Sequence, residues 1–228
     1  MNFNFFKDPR KDFVAMVAHD LRTPLTVIRG TLAEIEEKGD SPELRQRLRV
    51  ATDILSEHAD MVIDVARLDA ELYAPVTELF DVQREIARFC ALATSLAQGK
   101  NLDVVNDLKN AISVKGDVTA FRHVVQNMLE NAVKYTERGS VSIDAWIEDG
   151  KLVVRVTDTG IGMDATDLKQ AFEPFHRGDR SAVRSQMGSG MGLWMSKRFA
   201  EVCGGTLVVE SDGKDCGSRV TFALPVVV

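Results

Sequence analysis

The chain has 228 residues, 45% hydrophobic and 27% charged, enough apolar content for one large or two small globular domains. Its net charge of −6 leaves no basic stripe to neutralise phosphates, which argues against nucleic acid as the main partner. The scattered Cys90, Cys203 and Cys216 form no CxxC metal or redox pair and fit a reducing compartment, and no apolar run nears the roughly 20 residues that span a bilayer.

The opening Met1–Phe6 run is apolar but short, without the basic start or small-residue cleavage site of a signal peptide. From about Asp12 to Glu37, apolar residues fall at Val14, Ala18, Leu21, Leu25, Ile28, Leu32 and Ile35, alternating steps of 4 and 3. This is a heptad seam rather than a broad globular face. Gly39-Asp40-Ser41-Pro42 interrupts it, with Ser41 suited to a helix N-cap and Pro42 to a first helical position. A second seam runs through Leu44, Leu48, Ala51, Leu55, His58, Val62 and Val65. Two such helices make a hairpin whose stripes stay wet unless a second hairpin completes a four-helix bundle, so a homodimer through the hairpin is expected.

After Tyr73-Ala74-Pro75 the period changes. Val82, Ile86, Phe89, Ala93 and Leu96 mark a helix, and Phe121 to Tyr135 another. Strict alternation in Val141-Ile143-Ala145-Ile147, Leu152-Val154-Val156 and Val220-Phe222-Leu224 predicts half-buried strands of a largely antiparallel sheet with helices on one face. The expected fold class is α+β. A hairpin domain over 1–74 precedes an α/β sandwich with a mixed, largely antiparallel sheet over 75–228.

Chemistry concentrates in a few short boxes. In Ala18-His19-Asp20-Leu21-Arg22-Thr23-Pro24-Leu25, the seam takes Ala18 and Leu21, so His19 and Thr23 share the outer face. Neutral imidazole is a nucleophile near pH 7, and a carboxylate at Asp20 suits an orienting or general-base role on the ring. Pro24 inside a helix removes a hydrogen bond and costs about 3 kcal/mol, so a kink is expected there. His58 occupies a seam position and reads as a polar core layer setting register.

Asn127 and Asn131 project from one helical face, and amide oxygens are hard ligands suited to magnesium on ATP phosphates. Asp158-Thr159-Gly160-Ile161-Gly162 follows a strand, where a carboxylate can accept an adenine amino proton and glycines let backbone come close. Phe172-Glu173-Pro174-Phe175-His176-Arg177 comes next. Then Gly188-Ser189-Gly190-Met191-Gly192-Leu193 opens a helix through Val202, an anion site for a triphosphate.

In order and spacing, these boxes resemble the catalytic core of bacterial two-component sensor histidine kinases over roughly residues 10 to 225. The resemblance implies a Bergerat-type sandwich shared with gyrase-type ATPases, and no P-loop sequence is present. It implies that His19 is the phosphoacceptor, assisted by Asp20, and that Thr23 orients water in a reverse phosphatase reaction. Asn131 becomes the magnesium ligand and Asn127 lines the same site, with Lys134 and Tyr135 near phosphates or ribose. Asp158 selects adenine, and Gly160, Gly162, Gly188, Gly190, Gly192 and Leu193 complete the nucleotide site. The 164–187 stretch, with Arg177, Arg180 and Arg184, becomes a lid, and His176 stands where the family usually has an aromatic residue. ATPase relatives carry Glu where Asn127 stands. An amide cannot activate water, so the γ-phosphoryl should await His19. The implied partner is a response-regulator receiver domain and the implied setting cytoplasmic, as a separate chain or the cytoplasmic portion of a larger sensor protein. A regulator-binding pseudokinase scaffold and a gyrase-like ATPase are the alternatives.

Overall fold

The computed structural model describes residues 9–69, 73–174, 176 and 190–227, without the side chains of 9–20, 54, 57, 58, 60, 61 and 64–69. The chain divides into two compact units, Met1–Leu72 and Tyr73–Val228.

The first unit is a hairpin of α1 (Pro9–Lys38) and α2 (Pro42–Asp69). Gly39 ends α1 in the left-handed conformation, φ 86°, with its N–H donating to the Ile35 carbonyl at 2.9 Å. Ser41 Oγ accepts from the Leu44 N–H at 3.3 Å and starts α2. Pro24, Thr31, Leu44 and Ala51 are buried between the arms, and Leu21, Ile28, Ile35, Leu48 and Leu55 are half-buried. The buried Thr31 hydroxyl donates to the Val27 carbonyl, one turn back in its own helix, at 2.8 Å. Each seam therefore has two sides. Leu21, Ile28 and Ile35 turn toward the other arm, while Leu25 and Leu32 remain 44% and 46% exposed. The α1 helix runs unbroken through Pro24, rather than ending at the proline.

The second unit is a two-layer α+β sandwich. Its elements are β1 (Thr77–Asp81), α3 (Val82–Leu96), β2 (Asn101–Asn106), β3 (Ser113–Asp117), α4 (Val118–Tyr135), β4 (Arg138–Glu148), β5 (Lys151–Asp158), α5 (Ala165–Gln170), α6 (Gly192–Val202), β6 (Thr206–Glu210) and β7 (Ser218–Pro225). The main sheet has the order β2-β4-β5-β7-β6, with β2 parallel to β4 and the remaining pairs antiparallel. Asp149-Gly150, both at positive φ (49° and 71°), close the β4–β5 hairpin as a two-residue turn.

Alternation along β4, β5 and β7 puts Val141, Ile143, Leu152, Val154, Val156, Phe222 and Leu224 on the covered face. Helix α4 lies against that face through Phe121, Val124, Val125, Met128, Leu129, Ala132 and Val133, all buried. Truncating one of these, such as Leu129→Ala, costs about 3 kcal/mol in lost burial and residual cavity.

Four strands do not stand out in the sequence. β2 and β6 are the sheet's edges, and β1 pairs β3 antiparallel in a separate two-stranded sheet. Edge strands bury little, so their apolar residues need not alternate. Thr206-Leu-Val-Val-Glu210 places two valines in succession and leaves Val208 48% exposed.

Candidate functional site

Helix α4 starts at Asp117, whose Oδ1 accepts from the Ala120 N–H at 2.7 Å and from the Tyr73 hydroxyl at 2.8 Å. Its Oδ2 accepts from the Val76 N–H at 2.8 Å, which fastens the first residues of this unit to the helix. Burial, and the Asp117 carboxylate beside it, push the Tyr73 hydroxyl far above its ordinary pKa. Tyr73 also meets Phe199 of α6 edge-on at 5.2 Å, and His123 stacks on the same ring at 4.6 Å. The two helices that bracket the site are thereby tied at their far ends.

Within the site, Asn131 Nδ2 donates to Asn127 Oδ1 at 3.1 Å, and Asn127 Nδ2 donates to Ser196 Oγ at 2.8 Å. Ser196 is 2% exposed and sits one turn beyond Gly192 in α6. A side chain at Gly192 would overlap the Asn127 carboxamide, so glycine is required there for the two helices to meet. The chain of amides leaves Asn131 Oδ1 accepting no hydrogen bond among the described residues. Lys134 and Tyr135 follow on the last turn, with the Lys134 ammonium 5.1 Å from the Tyr135 ring centre.

Asp158 ends β5 and is 8% exposed. Its Oδ1 accepts from the N–H groups of Gly160 at 2.8 Å and Ser218 at 3.2 Å. Burial raises its pKa, and those hydrogen bonds partly oppose the rise. Gly160 and Gly162 are glycines for reasons internal to the protein. A side chain on Gly160 would overlap the Tyr135 carbonyl and come within 2.7 Å of Thr136 Oγ1. Gly162, at φ 60°, lies against the Gly213 carbonyl.

The β6–β7 turn clasps this loop from outside. Asp215 N–H donates to the Ile161 carbonyl at 2.7 Å, and Gly217 N–H to the Gly160 carbonyl at 3.1 Å. Ser211 Oγ accepts from the Met163 N–H at 3.0 Å and donates to the Gly217 carbonyl at 2.6 Å. The Asn127–Asn131 pair, Asp158, Gly160, Gly162, Gly192 and Leu193 thus fall within one unit, on α4, the β5 exit and the start of α6. Gly190 precedes α6 at φ 72°, and Gly188 lies outside the described residues.

Beyond the loop, Lys197 Nζ stands 4.8 Å from the Phe172 ring centre, and His176 Nε2 is 3.7 Å from Asp167 Oδ1. Phe175, Arg177, Arg180 and Arg184 lie outside the described residues, and with them half of the expected lid. In the hairpin unit, His19 and Asp20 are in α1, but their side chains lie outside the description, as does that of His58. Thr23 is exposed. Pro24 has no N–H for the Asp20 carbonyl one turn back.

Ser196, Ser211, Ser218 and the Tyr73–Asp117 bond escape a reading by motif. Ser196 left a trace, since it shares a helical face with Gly192. The others meet their partners only through the folding of distant segments.

Residues 9–71 match the His Kinase A (phospho-acceptor) domain, and residues 116–228 match the family described as histidine kinase-, DNA gyrase B-, and HSP90-like ATPase. Among curated proteins, the chain is 32% identical over 225 residues to the sensor-like histidine kinase SenX3 of Mycobacterium tuberculosis, covering 96% of this chain and 54% of that protein. It is 31% identical over 226 residues to two-component system protein A of Emericella nidulans, covering 93% and 33%. The chain therefore spans about half or less of the length of these relatives. Among solved structures, the Acinetobacter baumannii histidine kinase AdeS is similar with a TM-score of 0.73 at 21% identity, over 91% of this chain and 97% of that one. A histidine kinase ThkA, solved in complex with response regulator protein TrrA, is similar with a TM-score of 0.66 at 22% identity, over 94% and 61%. At these identities the structural likeness speaks for the fold. The two domain matches cover most of the chain, in the order phospho-acceptor then ATPase-type domain, and the sequence relatives share that extent: the chain belongs to the two-component histidine kinases, as their catalytic core.

Proposed function

We propose that this chain is an ATP-dependent protein-histidine kinase that phosphorylates itself on His19. The observation that carries this reading is the Asn131–Asn127–Ser196 chain of hydrogen bonds. It offers an amide oxygen at Asn131 to a cation, while Asn127 is held as a neutral amide with no capacity to take a proton from water. A site that binds ATP without such a base suits transfer to a protein acceptor better than hydrolysis.

In this reading, residues 1–74 form the dimerisation and phosphotransfer domain, and 75–228 the ATP-binding domain. Asn131 would hold magnesium, with Asn127 beside it, and a hard amide oxygen that accepts no hydrogen bond among the described residues fits that ion. When bound, magnesium would supply positive charge to offset that of the phosphates. Asp158 accepts the adenine amino proton, while Lys134 and Tyr135 contact phosphate or ribose. The backbone at Gly188, Gly190 and Gly192, with Leu193, lines the triphosphate side. Asp20 accepts the Nδ1 proton of His19, leaving Nε2 to attack. The N–P bond forms as the bond to the β-phosphate oxygen breaks, and ADP leaves.

The phosphoryl group then passes to an aspartate on a response-regulator receiver domain. Thr23 orients water when the direction reverses and the regulator is dephosphorylated. A Thr23→Ala chain that dephosphorylates the regulator at the normal rate refutes that role. The exposed Leu25, Leu32, Val50 and Ile63 support a homodimer through the hairpin, since a second hairpin would cover them. In this reading the reaction takes place in the cytoplasm, where ATP is supplied. Among the described residues no helix is long and apolar enough to cross a membrane.

Calorimetry of ATP binding tests the site. We expect magnesium-dependent binding that Asn131→Ala weakens at least tenfold, an estimate taken from loss of one ion ligand. Binding that ignores both magnesium and Asn131 would overturn the assignment.

A further inference from the structure

Helix α4 ends in an unusual way. A helix leaves its last four carbonyls without intrahelical partners, and a left-handed glycine after the end commonly supplies N–H groups to them. Here Thr136 follows the last helical residue in extended conformation, φ −114° and ψ 117°, and β4 begins only two residues later at Arg138. The chain turns straight from helix into strand, with no such turn to cap it.

A side chain from another segment fills that role. Lys100 Nζ donates to the carbonyls of Val133 at 2.7 Å, Lys134 at 3.3 Å and Thr136 at 3.1 Å, and stands 3.6 Å from Glu137 Oε1. Its side chain is only 21% exposed. The placement follows from the fold. Lys100 closes the α3–β2 turn, with its N–H on the Ala97 carbonyl at 3.0 Å after Gly99 at φ 87°. The parallel register Asn101↔Arg138 then sets Lys100 beside Glu137, at the exit of α4. Three donor protons meet three carbonyls at the negative end of a helix.

The turn held in this way is the one facing the nucleotide loop. The carbonyl Lys100 leaves alone is that of Tyr135, which accepts from the Ile161 N–H at 3.2 Å. Gly160 packs against the same carbonyl and against Thr136 Oγ1, beside Asp158 Oδ1. Lys134 and Tyr135 stand on the held turn, and Asn131 one turn before it.

We propose that Lys100 is a positioning residue of the nucleotide site. It fixes the last turn of α4, and through the Tyr135 carbonyl the Asp158–Gly162 loop, in the geometry that receives ATP. The proposal rests on the kinase reading above. Its consequence is a loss in nucleotide affinity rather than in the chemical step, because the Lys100 ammonium is committed to three backbone carbonyls.

The test uses the full chain with Lys100→Met, which keeps the stem and removes the donors, and Lys100→Arg, which restores a charged multiple donor. ATP dissociation constants come from calorimetry, and self-phosphorylation rates are taken at saturating Mg-ATP. We expect about a tenfold weaker affinity in Lys100→Met, from loss of a half-buried charged cap. The saturated rate should stay within about threefold of wild type, Lys100→Arg should recover most of the affinity, and the amides of 134–138 should exchange faster in Lys100→Met alone. A folded Lys100→Met chain that binds ATP as wild type does overturns the proposal, as does a loss of affinity and saturated rate in equal proportion. If Lys100→Met does not fold, Lys100→Gln is read by the same measurements and the same criteria. A wild-type chain that binds no ATP overturns the kinase reading and this proposal together, whereas normal wild-type binding with an unaffected variant overturns only the role of Lys100.

Discussion

Adding one methyl group at Gly192 separates two forces that are usually confused. Gly192 opens helix α6, and its φ is not in the left-handed region, so the backbone accepts alanine without strain. On helix propensity alone, Gly192→Ala stabilises the domain by up to about 1 kcal/mol. The structure predicts the opposite. The new Cβ would overlap Asn127 Oδ1 and sit 3.0 Å from its Cγ and 3.3 Å from its Nδ2. Asn127 cannot retreat without breaking its bonds to Ser196 (2.8 Å) and Asn131 (3.1 Å), and Ser196 is buried.

Overpacking of this kind costs about 1–3 kcal/mol, and stranding a buried hydroxyl adds to it. Net destabilisation of about 1–2 kcal/mol should remain after the propensity gain. ATP affinity should fall further, by about tenfold to a hundredfold, because the carboxamides of both asparagines move. Urea unfolding gives the first number and calorimetry the second. Gly30→Ala is the control: it lies inside α1 with nothing within 4 Å of the added Cβ, and should stabilise by about 1 kcal/mol. A Gly192→Ala chain that is stabilised like the control and binds ATP normally would refute the reasoning.

Asp158→Asn should abolish most ATP binding yet leave the apo domain no less stable at pH 7, as thermal unfolding will show. The folded-state pKa of Asp158 is raised, so its protonated form favours the fold. That stabilisation is full below the ordinary carboxylate pKa and is lost as pH rises through the raised folded value. Any advantage of Asp158→Asn at neutral pH should therefore shrink as pH falls. The Glu85 carboxylate is held below its usual range by the paired Arg122, with contacts of 2.8 and 2.6 Å joining α3 to α4. Its contribution is present above the ordinary carboxylate pKa and is lost as pH falls through the lowered folded value. At this pair, whose Arg122 end is open to solvent, it amounts to at most about 1 kcal/mol, readable as an acid-limb difference between wild type and Glu85→Gln. Tyr73→Phe should cost about 1 kcal/mol in urea unfolding, the worth of one half-buried hydrogen bond to Asp117. An unchanged midpoint would remove Tyr73 as an anchor of this unit.

What the sequence displays and what it hides follow from where the forces act. Heptad spacing reveals both hairpin helices, which each carry one apolar stripe, and strict alternation reveals β4, β5 and β7, which bury one continuous face. The edge strands β2 and β6 and the small β1–β3 sheet bury too little to carry a period. The same divide runs through the proposed nucleotide site. Its motifs are contiguous in sequence and can be read by their spacing. The residues that hold those motifs, Lys100, Ser196, Ser211 and Ser218, come from segments far apart in the chain. Lys100 and Ser211 meet backbone carbonyls and N–H groups, and Ser218 donates through its own N–H, so these contacts leave no mark on residue choice at one end. The sequence also cannot say which half of each heptad seam faces the other arm; the exposure of Leu25 and Leu32 against the half-burial of Leu21 and Ile28 is a product of packing.

The most direct test of the central claim is transfer of labelled γ-phosphate from Mg-ATP to the chain, compared between wild type and His19→Gln. The account predicts label in the wild type that is labile to acid and stable to base, as expected of a phosphohistidine, and none in His19→Gln. Equal labelling of both proteins, or release of free phosphate with no label on either, would contradict it.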